Sequence, residues 1–86
     1  MKKLVGCAVF VRGVNNYYTG RLVAIRDGFL ELESAAWIAD AGRFSEALSH
    51  GNLVEVEPYV GTAFISIASV CDVCVWDHPL PREAKP

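Results

Sequence analysis

The stretch that decides the fold runs from Tyr18 to Leu32 and reads YTGRLVAIRDGFLEL. Apolar and polar residues alternate on both sides of Asp27-Gly28, a pair typical of tight hairpin turns because both residues tolerate left-handed backbone angles. The alternation predicts one strand over Tyr17–Arg26 and a second over Phe29–Glu33. The residues of the second strand that we expect in the core are Leu30 and Leu32.

The C-terminal half has a similar pattern of two strands around a short connection. Phe64–Trp76 reads FISIASVCDVCVW, and the connection falls at Ala68-Ser69-Val70. The strands predicted outside the first hairpin are Val5–Arg12, Leu53–Glu57, Thr62–Ile67 and Val70–Trp76. Together these segments predict a mainly β fold, a small, strongly bent barrel of five to six strands of the SH3 or Sm type.

One short helix is expected between the third and fourth strands. In Arg43–Ser49 the apolar residues fall on one helical face, and Gly51 suits the C-terminal exit. Asp40 is a candidate N-terminal cap, with Gly42 and Ser45 as alternatives. The preceding segment, Ala35–Gly42, is expected to lead into this helix.

The size and composition of the chain predict one domain that associates with copies of itself. The chain has 86 residues, which suffice for a single core, and we assign residues 1–78 to the domain. Residues 79–86, which contain Pro79 and Pro81, are expected to form a flexible tail that cannot pair. Because 52% of the residues are hydrophobic, part of the apolar surface is expected in the interface of a homo-oligomer.

The charge and the sequence patterns disfavour several classes of function. A formal charge of −2 makes nucleic acid an unlikely partner, since a general nucleic-acid coat needs many cations. No signal peptide or apolar run of about 20 residues is visible, which predicts a cytoplasmic protein without a membrane partner. No pattern of a nucleophile, a phosphate loop or paired acid and base residues appears, so we predict neither an enzyme nor a cofactor.

The three cysteines are Cys7, Cys71 and Cys74. The last two have the C-x-x-C spacing, but residues three apart in a strand point to opposite faces and cannot share a metal ion. We therefore expect no metal site and interpret the cysteines as small buried residues.

Two groups of residues are candidates for ligand binding. The first surrounds a predicted hairpin and consists of Arg12, Asn15, Asn16, Tyr17, Tyr18, Thr19 and Arg21. The second is expected at the start of the helix and consists of Trp37, Asp40, Arg43 and Phe44. Aromatic rings stack on bases, amides read base edges and arginines bind phosphates, so a small nucleotide is the ligand expected here. The alternative is an ordinary turn in the first group, and core or interface aromatic residues in the second.

Parts of the chain resemble the Sm/Hfq-like family. Gly20–Glu33 is similar to the first motif of that family, in which a Gly-x-Leu strand runs into an acidic turn. Ile65–Val70 is loosely similar to the second motif, an isoleucine-rich strand that turns at a small residue. The Arg-Gly pair of the second motif is absent, and uridine binding is therefore not implied.

The whole chain also resembles a family of small phage and prophage proteins. The residues that carry this resemblance are Asn15–Gly20, Ala36–Asp40 and Trp76–Pro81. The resemblance implies an accessory protein made in the host cytoplasm during infection. By analogy of size and context, such a protein could capture a nucleotide signal of host antiviral defence.

Three functions remain open at this stage. The first is a homo-oligomer that captures a small nucleotide-type ligand as an anti-defence protein. The second is an Sm-like adaptor for RNA or for a host protein. The third is a structural accessory of the virion.

Overall fold

Six strands and one α-helix make up the computed structural model, which describes all residues 1–86. In chain order they are β1 (Ala8–Gly13), β2 (Tyr17–Arg26), β3 (Phe29–Asp40), α1 (Phe44–His50), β4 (Glu55–Pro58), β5 (Ala63–Ser66) and β6 (Val70–Val75). Short 3-10 turns lie at Lys2–Leu4 and Ile67–Ser69. The predicted mainly β fold, with one short helix between the third and fourth strands, is confirmed.

All strands pair antiparallel in the order β4-β3-β2-β1-β6, and β5 pairs with β3 outside this path. The long β3 pairs with two strands on the same side. Its first part, Phe29–Leu32, pairs with β5, and its last part, Ala36–Asp40, pairs with β4. Ser34 lies between the two parts with a φ of 49°. This left-handed residue and two register shifts against β2 bend the strands into a small barrel.

The sheet separates two apolar cores, because successive residues of a strand point to opposite faces. In β3, Ala35 belongs to the first core and its neighbour Ala36 to the second, and both are fully buried. The first core consists of Val9, Val11, Leu22, Leu30, Leu32, Ala35, Ala63 and Ile65. The second consists of Phe10, Ala36, Ile38, Ala41, Ala47, Leu53, Val56 and Trp76, so it includes residues of α1 and of the segment after β6. The burial of Leu30 and Leu32 confirms the predicted phase of the first hairpin.

The prediction for residues 35–42 is wrong, because they are not a lead into the helix. β3 continues to Asp40 and keeps pairing with β2 and β4. The alternation that marks a strand disappears after Ser34, since Ala35 and Ala36 are covered from both faces. Burial on both faces therefore hid the strand from the sequence pattern.

The helix α1 occupies the predicted place but begins differently. Arg43 is its N-cap residue and provides no side-chain cap, so none of the three proposed caps is correct. Asp40 instead accepts a hydrogen bond from the backbone N–H of Gly42 at 2.8 Å. At the other end Gly51 has a φ of 72°, and its N–H donates to the carbonyl of Ala47, as expected for a glycine C-terminal exit.

The C-terminal tail does pair, which corrects the expectation of an unpaired segment. Lys85 and Val56 exchange two backbone hydrogen bonds, of 2.8 and 2.9 Å. Arg82 donates to the carbonyl oxygens of Ala35 and Tyr59 at 2.8 and 3.1 Å. The tail therefore follows the free side of β4.

Candidate ligand-binding site

An aromatic cluster, which we define as Phe10, Tyr17, Phe44, Trp76 and His78, lies on the face of the second core. Phe10 stacks between Tyr17 and Trp76, with both pairs of ring centroids 5.6 Å apart. Trp76 contacts the edge of His78 at 4.9 Å, and Phe44 leans against Phe10 at 6.0 Å. Phe44 is 40% exposed, so its ring offers a surface for stacking.

Arg12 lies beside the aromatic cluster, directly opposite Tyr17 in the β1–β2 ladder. Its guanidinium carbon is 5.2 Å from the centroid of the Phe44 ring, which is a cation–π contact. Asp72 on β6 accepts hydrogen bonds from the same guanidinium and thereby raises the pKa of Arg12. The sheet thus brings Arg12, Tyr17 and Phe44 together, although they belong to different predicted groups.

The remaining hairpin residues do not form one cluster. Asn15 is exposed and Asn16 is half-buried in the β1–β2 turn. The backbone carbonyl of Asn16 accepts a hydrogen bond from the backbone N–H of Gly13 at 2.8 Å. Tyr18 points to the opposite face and packs against the first core. Thr19 is fully buried and its hydroxyl has no hydrogen-bond partner, so its assignment to an accessible ligand site is wrong.

Arg21 and Trp37 are also separate from the aromatic cluster. Arg21 is exposed further along β2 and donates to the carbonyl oxygen of Gly6 at 3.0 Å. Trp37 lies half-buried in β3, directly opposite Tyr18 on one side and Glu57 on the other. The expectation that Trp37 and Asp40 stand at the start of the helix is therefore wrong, whereas Arg43 and Phe44 do stand there.

Arg43 borders an open cavity of about 520 Å³ between the start of α1, the segment before β4 and the tail. Lys85 is the second cation of this cavity, and Glu46 and Asn52 are further polar residues in its lining. Its volume lies within the range of about 300–1,000 Å³ that is typical of small-molecule sites. The cavity is therefore large enough for a small ligand, and its lining contains two cationic side chains and one carboxylate.

The structure contains no group of three or more histidine, cysteine, aspartate or glutamate residues that could hold a metal ion. Cys74 pairs with Phe10 in the β1–β6 ladder, and the exposed Cys71 lies three residues earlier, where the register between β1 and β6 shifts. The interpretation of all three cysteines as buried is therefore wrong, since Cys71 is exposed and the others are half-buried. Burial raises the pKa of the Cys74 thiol.

Sequence reasoning missed four members of this site, which are Phe10, Asp72, Trp76 and His78. Phe10, at the centre of the aromatic cluster, is masked by the valines that alternate with it in β1. Asp72 and His78 lie far from Arg12 and Phe44 in the chain, and only the β1–β6 pairing brings Asp72 to Arg12. No local sequence pattern predicts a contact between residues so far apart in the chain.

Comparison with known proteins shows the fold of this chain. Neither a protein-family profile nor a curated protein sequence matches it. Among solved structures, the SmAP1 heptamer of P. aerophilum matches with a TM-score of 0.60 and 21% identity, over 86% of this chain and 84% of the other. A heptameric archaeal Sm protein, described for its implications for the eukaryotic snRNP core, matches with a TM-score of 0.59 and 21% identity. That match covers 86% of this chain and 91% of the other. The fold is therefore Sm-like.

Proposed function

We propose that this chain is the subunit of a closed homo-oligomer of Sm-like barrels that works as a non-enzymatic adaptor for RNA. The observation that carries the proposal is a pair of unprotected strand edges. β5 pairs only with β3, and β6 pairs only with β1, so each strand has one free side. A free edge is a template for pairing with another chain.

The chemistry of both edges favours association. Soluble monomers often protect their edges with lysines or prolines, but β5 reads AFIS and β6 reads VCDVCV, with Asp72 as the only charge. Phe64 on β5 is 58% exposed and Val75 on β6 is 45% exposed. Pairing of the strands of neighbouring subunits would bury these apolar side chains, which is favourable because it removes them from water.

Two different edges predict a ring rather than a symmetric dimer. When β5 of one subunit pairs with β6 of the next, the contact is head-to-tail and closes if the rotation between subunits allows it. A groove of about 320 Å³ beside β6, lined by Leu4, Ile67, Val70 and other residues, can receive apolar side chains of the neighbour. The heptamers formed by the two Sm-like structures support this arrangement.

RNA is the ligand class favoured by the likeness to a protein studied in connection with the snRNP core. The net charge of −2 argues against a general nucleic-acid coat, but it does not oppose a local site. At such a site Phe44 and Tyr17 supply stacking surfaces, Arg12 supplies a cation and Asn15 an amide. A ring would repeat this small site once per subunit. An RNA that contacts several of these sites at once would bind more tightly than one contact allows.

Native mass spectrometry of the protein purified from cells tests both parts of the proposal. We expect one oligomer of fixed size that carries nuclease-sensitive mass. Phe64→Glu places a charge on the β5 edge and should give monomers. Val60→Glu is the matched control, because Val60 is fully exposed in the loop before β5 and should not affect assembly. A native monomer at micromolar concentration would contradict the ring, and an oligomer that never binds RNA would contradict the adaptor.

A small nucleotide is the second candidate ligand, and the cavity with Arg43 and Lys85 is the observation that favours it. In this reading the oligomer works in the cytoplasm of an infected host and captures a signal of antiviral defence. The same spectra separate the two candidates, because a bound nucleotide adds only a few hundred daltons and resists ribonuclease. Arg43→Ala should remove this mass and leave RNA binding unchanged.

A further inference from the structure

The C-terminal tail lies along β4 as a rudimentary extra strand. Lys85 and Val56 exchange both backbone hydrogen bonds, and Arg82 contacts the carbonyl oxygen of Tyr59. The Val56–Lys85 bridge is antiparallel, and the side chain of Arg82, three residues before Lys85, reaches Tyr59, three residues after Val56. The tail therefore shows that the outer edge of β4 accepts an added strand.

Few hydrogen bonds hold the C-terminal tail against β4. Apart from the Lys85 bridge and the Arg82 guanidinium, residues 82–86 form no further hydrogen bonds, and all of them are exposed. Pro58 interrupts the ladder since proline has no N–H to donate. A segment with so few bonds and so little burial opens at low free-energy cost.

The surroundings of the tail favour positive charge. Arg82 borders a cavity of about 300 Å³ that is also lined by Glu33, and no ion pair occupies that carboxylate. Glu55 and Glu57, on either side of Val56, are exposed and form no ion pair either. The two exposed carboxylates of β4 and the Glu33 carboxylate beside Arg82 attract a basic segment through long-range electrostatics.

We propose that the outer edge of β4 is a docking surface for an extended basic peptide segment of another protein, and that the tail is its internal competitor. The recognised segment carries an arginine three residues before the residue that pairs with Val56. Its guanidinium binds the carbonyls of Ala35 and Tyr59, and its backbone adds to the β4 ladder. The tail makes its hydrogen bonds to Val56, Ala35 and Tyr59 and none to β5 or β6, so the inference does not depend on the proposed ring.

A fluorescent peptide with the sequence of residues 79–86, PLPREAKP, is the probe for this site. We expect saturable binding to the native protein in fluorescence anisotropy. The variant Arg82→Ala should bind the same peptide about tenfold more tightly, because its own tail competes less well. Glu83→Ala is the matched control, since the Glu83 side chain makes no hydrogen bond and its loss should not change the affinity.

Specificity is measured with altered peptides and an altered edge. Replacing the arginine of the peptide by alanine should weaken binding about tenfold or more, because a charged donor to two carbonyls is lost. Glu57→Lys in the protein should weaken binding of the unaltered peptide, with circular dichroism as the check on folding. The proposal is overturned if neither the native protein nor Arg82→Ala binds the peptide, or if the arginine is dispensable. It is also overturned if cross-linking shows that the tail of a second copy occupies β4.

Discussion

The backbone N–H of Ile67 donates a hydrogen bond to the carbonyl oxygen of Gly28, with 2.9 Å between the nitrogen and the oxygen. Gly28 ends the turn between β2 and β3, and Ile67 begins the 3-10 turn between β5 and β6. The bond therefore ties together the two turns on which the fold prediction rests. Because Phe29 also pairs with Ser66 directly beside it, both turns form one end of the barrel.

Replacing Gly28 by alanine should destabilise this end. Gly28 has a φ of 79° and follows Asp27 at 54°, a combination of left-handed residues that a side chain at position 28 disfavours. We expect a loss of about 1 kcal/mol in the free energy of unfolding by urea. Gly61→Ala is the control, because its Cβ meets no atom within 4 Å and its φ is not left-handed. Equal losses for the two variants would show that backbone strain is not the cause.

Shortening a leucine of the first core should lower the free energy of unfolding by more than the Gly28→Ala change does. Leu30 and Leu32 are fully buried, so Leu30→Ala or Leu32→Ala should each lower the free energy of unfolding by about 2–5 kcal/mol. Glu33→Ala, on an exposed residue of the same strand, should change it by less than about 0.5 kcal/mol. Urea titrations of the three variants measure this difference, and a large loss for Glu33→Ala would contradict the strand phase.

Local patterns were enough to predict the hairpin but not the full length of β3. The sequence predicts Tyr17–Arg26 with its correct bounds because exposed Arg21 and buried Leu22 keep the alternation in its second half and Asp27-Gly28 marks the turn. In contrast, Ala35 and Ala36 are buried on opposite faces, which removes the alternation and imitates the start of a helix. Sequence periodicity reports burial on one face, and it fails where a second core covers the other.

The sequence predicts several residues of the candidate site, but it does not predict which of them lie close together. Arg12, Tyr17 and Phe44 were each selected, but their meeting depends on the antiparallel register and on α1 packing against Phe10. The sequence next to the turn does not show that Thr19 is buried, because its neighbours Phe10 of β1 and Ala36 of β3 come from other segments of the chain. Contacts between distant segments decide such cases.

The ion pair of Arg26 with Glu31 should make stability depend on pH. The hydrogen bond from Arg26 lowers the pKa of Glu31 below its usual value of 4.5. The stabilisation is therefore present above that pH and is lost as the pH falls through the lowered pKa of the folded protein. Glu31→Gln should destabilise the protein at pH 7 and have less effect near pH 3, as measured by urea unfolding. In the background of Arg26→Gln this pH dependence should shrink, and its full persistence would exclude the pair as its cause.

The two thiols of β6 should react at different rates with a maleimide in the Phe64→Glu variant, which we expect to be monomeric and therefore to leave β6 uncovered. Cys71 is exposed, whereas Cys74 is half-buried and burial raises the pKa of its thiol, which lowers the fraction of reactive thiolate. Mass spectrometry after short labelling should therefore find Cys71 modified first. The Cys71→Ser variant should then label slowly, and the Cys74→Ser variant should keep the fast phase. If Cys74 reacts first, β6 does not pack against β1 as described.

Asp72 should control whether Arg12 can bind a phosphate. The guanidinium donates hydrogen bonds to the Asp72 carboxylate, and that carboxylate would also repel an incoming anion. Asp72→Asn keeps the size of the side chain, removes its charge and should strengthen binding of a short RNA or a nucleotide about threefold to tenfold. Arg12→Ala should weaken the same binding about tenfold or more, because a charge-assisted hydrogen bond is lost.

Fluorescence anisotropy at two salt concentrations measures both changes in affinity. A contact between Arg12 and a phosphate should reduce the salt dependence of binding in Arg12→Ala and increase it in Asp72→Asn. Arg21→Ala is the control, because Arg21 is exposed, carries the same charge and lies apart from the aromatic cluster. If all three variants bind as the native protein does, the ligand contacts another surface. If Arg21→Ala alone weakens binding, the site lies near the N-terminal turn, where Arg21 contacts Gly6.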